Sequence, residues 1–256
     1  MPVRHEPAVV ARLRAAGSVF AEEEAALLTA EAADDAELAV LLERRTAGEP
    51  LEVVLGWALF RGLRIAVEPG VFVPRRRTEL LAREAVRAAS AGAVVVDLCC
   101  GTGAVAAAVL AAVPGAEVHA ADVDPAATRC ARRNLGGAAA VHTGDLYDAL
   151  PASLRGRVGV LAANAPYVPT AAVGTMPREA REHEALVALD GGADGLDLHR
   201  RIASGAASWL APGGRVMIET SRSQAAGTAA LLRGAGLRTR IVHSSALDGT
   251  VALGRR

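Results

Sequence analysis

From residue 92 onwards, short apolar segments alternate with helical patterns. We expect strands over residues 93–98, 116–121, 138–142, 158–163, 214–220, 237–243 and 249–253, with helices in most of the gaps. Such alternation is typical of a doubly wound α/β fold with a mostly parallel sheet. Only residues 244–248 join the last two strands, and a parallel return needs about a dozen residues, so the last strand should be antiparallel. The sequence therefore predicts a seven-stranded, mostly parallel sheet.

The first part of the chain has a helical composition. Residues 7–45 are rich in Ala, Leu, Glu and Arg and contain few β-branched residues. Either Asp34 or Asp35 could cap one of these helices. Residues 78–89 are expected to form another helix, with Thr78 as a possible cap.

A change of character between these helical regions indicates a connector. Residues 51–73 contain three apolar segments punctuated by glycine and proline, at 53–55, 63–67 and 71–73, a pattern that favours a hairpin-like structure. We therefore expect a helical domain over residues 1–50, a β-hairpin connector over 51–77 and the α/β domain over 78–256.

The composition limits the classes of partner. All 28 basic residues are arginine and are balanced by 28 acidic residues, so the net charge is zero, and aromatic residues make up only 3%. Surfaces that bind nucleic acids are usually basic or present stacking aromatic rings. No direct nucleic-acid binding is therefore expected.

The sequence also indicates a compartment. No apolar run reaches the roughly 18 residues of a membrane helix, and residues 1–20 lack the continuous apolar core of a secretion signal. Cys99, Cys100 and Cys130 are odd in number, and two are adjacent, which argues against a disulfide framework. They also lack the spacing of a zinc site. We expect a cytoplasmic monomer without a membrane partner or a metal.

The first strand of the α/β domain runs into a glycine turn and then an alanine-rich helix. The residues of this turn are Asp97, Cys99, Cys100, Gly101, Thr102 and Gly103. Its glycines let the backbone approach a ligand closely, but Ala106 stands where a dinucleotide fingerprint has its third glycine. The carboxylate of Asp97 would repel a pyrophosphate and favour an ammonium group. S-adenosyl-L-methionine has an ammonium and no phosphate, so the turn predicts this cofactor.

The two adjacent cysteines of the turn could be nucleophiles. No histidine is placed by the sequence to activate either Cys99 or Cys100. Cysteine often behaves as a small buried apolar residue. We therefore expect both residues to fill the tight turn.

Two further strand ends have acidic residues. Asp122, with Val123 and Asp124, lies roughly 20 residues beyond the turn, the spacing at which an acid meets ribose hydroxyls. Asp145 and Leu146 follow the third strand, where an acid can accept a hydrogen bond from an adenine amino group. Aspartates also cap helices, and taken singly Asp122 and Asp124 could do so. Together, acids at three successive strand ends favour a cofactor site.

Asn164, Ala165, Pro166 and Tyr167 follow the fourth strand, and we call these four residues the cup. A carboxamide nitrogen is a poor nucleophile, and two acceptors aimed at its N–H bonds would stabilise charge as it attacks a sulfonium methyl. The side-chain oxygen of Asn164 and the carbonyl of Ala165 can be these acceptors, since Pro166 favours an extended residue before it. Tyr167 can pack on the flat amide. The alternative is an ordinary strand-to-loop turn.

Several segments along nearly the whole chain match one family pattern in order. They are Gly48-Glu49-Pro50, Gly56, Phe60 and Gly62, residues 72–79, the cup, Glu182-His183-Glu184, residues 188–196, Pro212-Gly213-Gly214, and Glu219 with Gln224. With these segments the chain resembles the peptide chain release factor N5-glutamine methyltransferases, within the class I S-adenosylmethionine-dependent enzymes.

The resemblance implies a substrate and a set of site residues. The substrate would be the glutamine in the Gly-Gly-Gln loop of a release factor, docked with the help of the N-terminal helices. The substrate would be held by the cup residues, Asn164 and Tyr167 above all, with Pro74 and Arg75. The cofactor would be lined by residues 99–103, Asp122, Leu146 and Asn164.

The chain departs from the family pattern in four places. Ala165 replaces a proline in the cup, Cys99 replaces a glycine, Arg76-Arg77 replaces Pro-Glu, and Thr220-Ser221 replaces Ile-Gly. The arginines at 75–77 could touch an acidic surface of a partner or form a solvated turn. Two other functions stay open: methylation of adenine N6 or another amine in nucleic acid, and partner binding without catalysis.

Overall fold

The computed structural model describes residues 6–256, except for the side chains at 6, 178 and 180. The chain begins with α1 (Glu6–Ala15), α2 (Ala21–Glu31) and α3 (Asp35–Thr46). Asp34 caps α3, because its carboxylate accepts a 2.8 Å hydrogen bond from the N–H of Glu37. Leu13, Leu28 and Leu42 pack in a cluster that these helices share. The first five residues of the expected helical domain lie outside the described residues.

The connector contains a short helix before its hairpin. The apolar segment at residues 53–55 is not part of the hairpin, because Leu51–Leu55 forms the helix α4 between Pro50 and Gly56, whose φ of +76° ends it. Val54 packs into the core of the N-terminal helices, and this burial overrides the β-propensity of valine. The hairpin consists of β1 (Trp57–Phe60) paired antiparallel with β2 (Leu63–Ala66).

Residues 71–73, the third apolar segment of the connector, form no strand, since Val71 packs against Cys130 and the N–H of Val73 donates to the carboxylate of Glu184 at 3.2 Å. The expected cap is wrong. Thr78 does not cap the next helix, α5 (Glu79–Ala88), because it is helical itself and makes no capping hydrogen bond. In both places a distant residue provides the partner that local structure would otherwise supply.

Within residues 6–256, seven strands form the central sheet. They are β3 (Val94–Leu98), β4 (Glu117–Asp122), β5 (Ala140–Thr143), β6 (Val158–Ala163), β7 (Leu210–Glu219), β8 (Arg238–Ser244) and β9 (Gly249–Arg255). Their order is β5-β4-β3-β6-β7-β9-β8, and β9 runs antiparallel to both of its neighbours. The expected α/β fold with an antiparallel last strand is confirmed.

Helices cover both faces of this sheet. Those after α5 are α6 (Ala104–Ala112), α7 (Pro125–Leu135), α8 (Thr170–Val173), α9 (Arg178–His183), α10 (Asp197–Trp209) and α11 (Ala225–Gly234). Side chains alternate along β3, so Val95 packs with α5, α6 and α7, whereas Val94 and Val96 pack with α10 and α11. None of the helices described is long and apolar enough to span a membrane.

The strand order changes direction at β3. From there β4 and β5 extend to one side, and β6 and β7 extend to the other. Ligands of such sheets bind at the carboxyl ends of the strands beside this switch point. The glycine turn, Asp122, Asp145 and Asn164 follow β3, β4, β5 and β6 respectively, so the fold brings them to one edge of the sheet.

Candidate active site

The glycine turn after β3 has left-handed backbone at Cys99, Gly101 and Gly103, with φ values of +56°, +53° and +76°. A Cβ at Gly103 would lie 3.2 Å from the side chains of Ala131 and Leu135, so that glycine permits close packing of α7. A Cβ at Gly101 would meet nothing closer than 3.9 Å, because this residue faces a cavity. Cys99 adopts a conformation that favours glycine, which explains why the family pattern has a glycine at this position.

Asp97 is a buried acid at the end of β3. One of its oxygens accepts a 3.1 Å hydrogen bond from the N–H of Ala106 at the start of α6. Burial raises the pKa of Asp97 to about 7. A cationic group bound beside it would favour the ionised form.

Burial also raises the pKa of both thiols in the turn, Cys99 and Cys100. The thiols are therefore protonated at neutral pH, whereas a nucleophilic cysteine needs a lowered pKa. This agrees with the interpretation of both residues as small buried side chains.

Asp122 and Asp124 have different roles. The carboxylate of Asp122 accepts hydrogen bonds from the N–H groups of Gly101 at 2.9 Å and Asp124 at 3.0 Å, and so holds the glycine turn against the end of β4. Asp124 caps α7, since its side chain accepts a 2.8 Å hydrogen bond from the N–H of Ala126. Helix capping is therefore correct for Asp124 and wrong for Asp122.

A cavity of about 310 Å³ lies along this edge, within the size range of small-molecule sites. The residues expected at the site that line it are Pro74, Asp97, Cys99, Cys100, Gly101, Thr102, Asp122, Val123, Asp145, Leu146 and the four cup residues. Gly103 and Arg75 do not line it. Further lining residues that the sequence did not indicate include Arg77, Thr78, Met176, Val187, Leu198 and Arg201.

Two of the lining residues form an ion pair. Asp145 pairs with Arg201 at 2.7 Å through one carboxylate oxygen, and both side chains are about half exposed. Leu146 beside it is buried and has a φ of +46°. The second oxygen of Asp145 accepts no hydrogen bond from the part of the chain described, so it is available to a ligand.

The cup also lines this cavity, and Asn164 is oriented by a contact with Thr78. Its amide nitrogen donates to the hydroxyl of Thr78 at 3.4 Å. An amide nitrogen only donates, so this contact turns the amide oxygen of Asn164 away from Thr78. Among the residues and side chains that the structure describes, neither that oxygen nor the carbonyl of Ala165 accepts a hydrogen bond.

Tyr167 closes the cup. Its hydroxyl lies 3.4 Å from a carboxylate oxygen of Glu219, and burial raises the pKa of Tyr167 to about 12, so the phenol stays neutral. The ring packs beside His199 at 6.3 Å between centroids, and burial lowers the pKa of that histidine to about 4. Tyr167 therefore presents an uncharged aromatic ring to the cavity.

A clamp, formed by Gly191, Gly195 and Gln224, holds the backbone of the cup. The side-chain amide of Gln224 donates to the carbonyl oxygens of Tyr167 at 2.9 Å and Asp194 at 3.0 Å. A Cβ at Gly195 would lie 2.3 Å from the carbonyl oxygen of Tyr167, and one at Gly191 would lie 2.8 Å from that of Pro166. Residues 188–196 and Gln224 thus have a positioning role that sequence reasoning did not assign, although it singled out both segments.

The three consecutive arginines separate in the structure. Arg75 forms an ion pair at 2.5 Å with Glu184, whose side chain is 2% exposed. Arg76 is exposed, whereas Arg77 lines the cavity. Neither a solvated turn nor a partner contact describes all three, because Arg75 is occupied within the chain.

Comparisons with known proteins agree with this architecture. Residues 62–176 match the family model described as "Methyltransferase small domain". A release factor glutamine methyltransferase from Streptomyces coelicolor is 40% identical over 195 residues, which cover 74% of this chain and 69% of that relative. The chain belongs to the release factor glutamine methyltransferase family. The family resemblance carried by the cup and the flanking segments is thereby confirmed.

Another relative of this chain is named for a different substrate. A 4-amino-L-phenylalanine/4-methylamino-L-phenylalanine methyltransferase from Streptomyces pristinaespiralis is 39% identical over 203 residues, covering 76% of this chain and 69% of the relative. A solved methyltransferase from Pyrococcus furiosus matches the fold with a TM-score of 0.56 and 16% identity, covering 76% of this chain and 89% of that one. This chain thus spans 69% of the length of both Streptomyces relatives.

Proposed function

We propose that this protein transfers a methyl group from S-adenosyl-L-methionine to the side-chain amide nitrogen of a protein glutamine, with the Gly-Gly-Gln glutamine of a peptide chain release factor as the substrate. One observation above all supports this. Two oxygens of the cup, on Asn164 and Ala165, accept no hydrogen bond from any described residue or side chain and belong to residues that line the cavity. A planar NH₂ group has two N–H bonds that such a pair of acceptors can bind.

Other residues that line the cavity fit the cofactor. Asp97 can pair with its ammonium group, Asp122 can accept from ribose hydroxyls with its remaining lone pairs, and Asp145 can accept from the adenine amino group. The open space beside Gly101 admits a ligand against the backbone. When bound, the cofactor supplies an electrophilic methyl group: the nitrogen lone pair forms the new bond, the electrons of the broken bond stay on sulfur, and the nitrogen releases a proton.

The cup contributes electrostatic preorganisation. Oxygens fixed before the reaction stabilise the positive charge that develops on the amide nitrogen, without reorganising during the step. The hydrogen bond from the amide nitrogen of Asn164 to Thr78 keeps the amide oxygen of Asn164 directed at the substrate. Tyr167 provides a neutral aromatic face, which attracts a nearby cationic group.

We assign the remaining parts of the chain to docking. In this proposal residues 1–50, which contain α1 to α3, help to bind the release factor as a separate domain, and residues 78–256 hold the cofactor. Pro74 lies at the cavity wall and would contact the substrate. The three free cysteines fit a monomer in the reducing cytoplasm.

A second candidate is methylation of an aromatic amine on a free amino acid. The Streptomyces pristinaespiralis relative is named for such a substrate and is as similar in sequence as the release factor enzyme. The cup suits any planar NH₂ group, so its geometry alone serves both reactions.

Incubation with methyl-labelled cofactor tests the two candidates directly. The protein is given each release factor in one set of reactions and 4-amino-L-phenylalanine in another, and products are mapped by mass spectrometry. Label on the Gly-Gly-Gln glutamine is expected. Label only on the free amino acid would select the second candidate, and no labelled glutamine in either release factor would overturn the first. Asn164→Ala provides the inactive control, and the exposed Arg76→Gln provides the matched active one.

A further inference from the structure

Arg77 places a cation on the wall of the cavity beside the cup. It lies in the turn Arg76–Thr78 that leads into α5, and its side chain is 47% exposed. Its Nε lies 3.5 Å from a carboxylate oxygen of Glu219, and the hydroxyl of Tyr167 lies 3.4 Å from the same oxygen. A guanidinium has five N–H donors, so this ion pair leaves several for a ligand.

The other arginine of the cavity is neutralised differently. Arg201 pairs at 2.7 Å with Asp145, and both partners are exposed to the cavity side to a similar extent. The acid beside Arg77 is 2% exposed and is shared with Tyr167. The positive charge of Arg77 therefore faces the cavity, whereas its counter-charge lies behind the wall.

The charge at this position is opposite to that of the family pattern. The family pattern has Pro-Glu where this chain has Arg76-Arg77, so an acid stands at the position of Arg77. An acid on the wall would repel an anionic ligand group, whereas a guanidinium matches the geometry of a carboxylate with two parallel hydrogen bonds. Replacing one by the other changes which ligand charge the cavity favours.

We propose that Arg77 binds a carboxylate of a molecule held in the cavity. Two sources share this chemistry. The amino-acid end of the cofactor has a carboxylate beside the ammonium group that Asp97 would hold. The methyl-accepting substrate could also supply one, as a free C-terminus or an acidic side chain. The second source rests on the proposed function, and the first rests only on its cofactor.

Paired ligands distinguish these sources. Titration calorimetry compares S-adenosylhomocysteine with methylthioadenosine, which lacks the amino-acid end, in the wild type, Arg77→Gln, Arg77→Lys and Arg76→Gln. If the cofactor supplies the carboxylate, Arg77→Gln weakens S-adenosylhomocysteine about tenfold, since a charged hydrogen bond is worth about that much, and leaves methylthioadenosine unchanged. Arg77→Lys should retain part of the wild type's preference for S-adenosylhomocysteine over methylthioadenosine, and Arg76→Gln should retain all of it.

A second arm tests the substrate as the source. Methylation rates are compared for a Gly-Gly-Gln peptide ending in a carboxylate and the same peptide ending in an amide. If the substrate supplies the carboxylate, Arg77→Gln abolishes the preference for the free acid and leaves both nucleosides unaffected. Unchanged discrimination in both pairs overturns the proposal, as does an equal loss for both members of each pair. If the wild type methylates neither peptide, the proposed function fails, and the nucleoside pair alone decides on Arg77.

Discussion

The side-chain amide of Gln224 donates a 2.9 Å hydrogen bond to the carbonyl oxygen of Tyr167, and a second, 3.0 Å hydrogen bond to the carbonyl of Asp194. Gln224 lies immediately before α11, far in sequence from the cup. It therefore fixes the backbone of the cup and does not line the cavity.

Replacing Gln224 should impair the cup more than the cofactor wall. We expect Gln224→Ala to lower kcat about tenfold with little effect on cofactor affinity, because one hydrogen bond to the Tyr167 carbonyl is lost. Steady-state kinetics and calorimetry with S-adenosylhomocysteine measure the two effects. The exposed neighbour Ser223→Ala is the control, and equal losses in kcat and cofactor affinity would contradict the positioning role.

Asn164→Ala should reduce turnover at least a hundredfold and change cofactor affinity only a few-fold. It removes one of the two acceptors of the cup, and loss of a comparable preorganised group costs about 10²–10³ in rate. Single-turnover methylation and calorimetry give the two quantities. Turnover close to that of the wild type would refute catalysis by the cup and leave partner binding without catalysis as the better function.

The Thr78 hydroxyl should matter through the orientation of Asn164. Thr78→Val keeps the shape of the side chain and removes the hydroxyl that accepts from the amide nitrogen of Asn164, so kcat should fall about tenfold and stability by about 1–3 kcal/mol. Thr78→Ser keeps the hydroxyl and should restore most of both. Kinetics and denaturant unfolding compare the pair, and equal behaviour of valine and serine would exclude this hydrogen bond as the orienting contact.

Cofactor affinity should rise with pH up to about 7 and then level off. The pKa of Asp97 is raised to about 7 by burial, and an ammonium ligand needs the ionised form, so binding below that pH displaces a proton. Affinity for S-adenosylhomocysteine should change by at most tenfold per pH unit in that range. Calorimetry at several pH values checks the slope. Asp97→Asn should bind S-adenosylhomocysteine more weakly and with no pH dependence in this range. A retained slope would assign the titration to another group.

The same group should affect stability in the opposite direction. Because the pKa of Asp97 in the fold lies above its ordinary value of 3.8, the ligand-free protein loses stability as pH rises through about 4 to 7. Asp97→Asn should therefore raise the unfolding temperature at about pH 8 more than at about pH 5. The exposed Asp148→Asn is the control. A uniform shift at both pH values would argue against a buried charge.

Most of the fold could be predicted from local patterns. The strands β3 to β9 were indicated by apolar segments of strand length, and the short link between β8 and β9 predicted their antiparallel pairing. The failures are local patterns that distant contacts override. Residues 53–55 have strand-forming side chains but become helical, and Val54 and Leu55 pack on the N-terminal helices.

The sequence by itself determined the acids and amides at the ends of β3 to β6, because strand ends in a parallel sheet meet at one edge. It could not distinguish the role of Asp122 from that of Asp124, or the role of Arg75 from that of Arg77. Residues of one type two positions apart differ only in the direction of their side chains. Only the tertiary structure decided that Thr78, Glu219 and Gln224 support the cup. Those contacts join residues more than fifty positions apart, and their geometry arises from packing across the whole sheet.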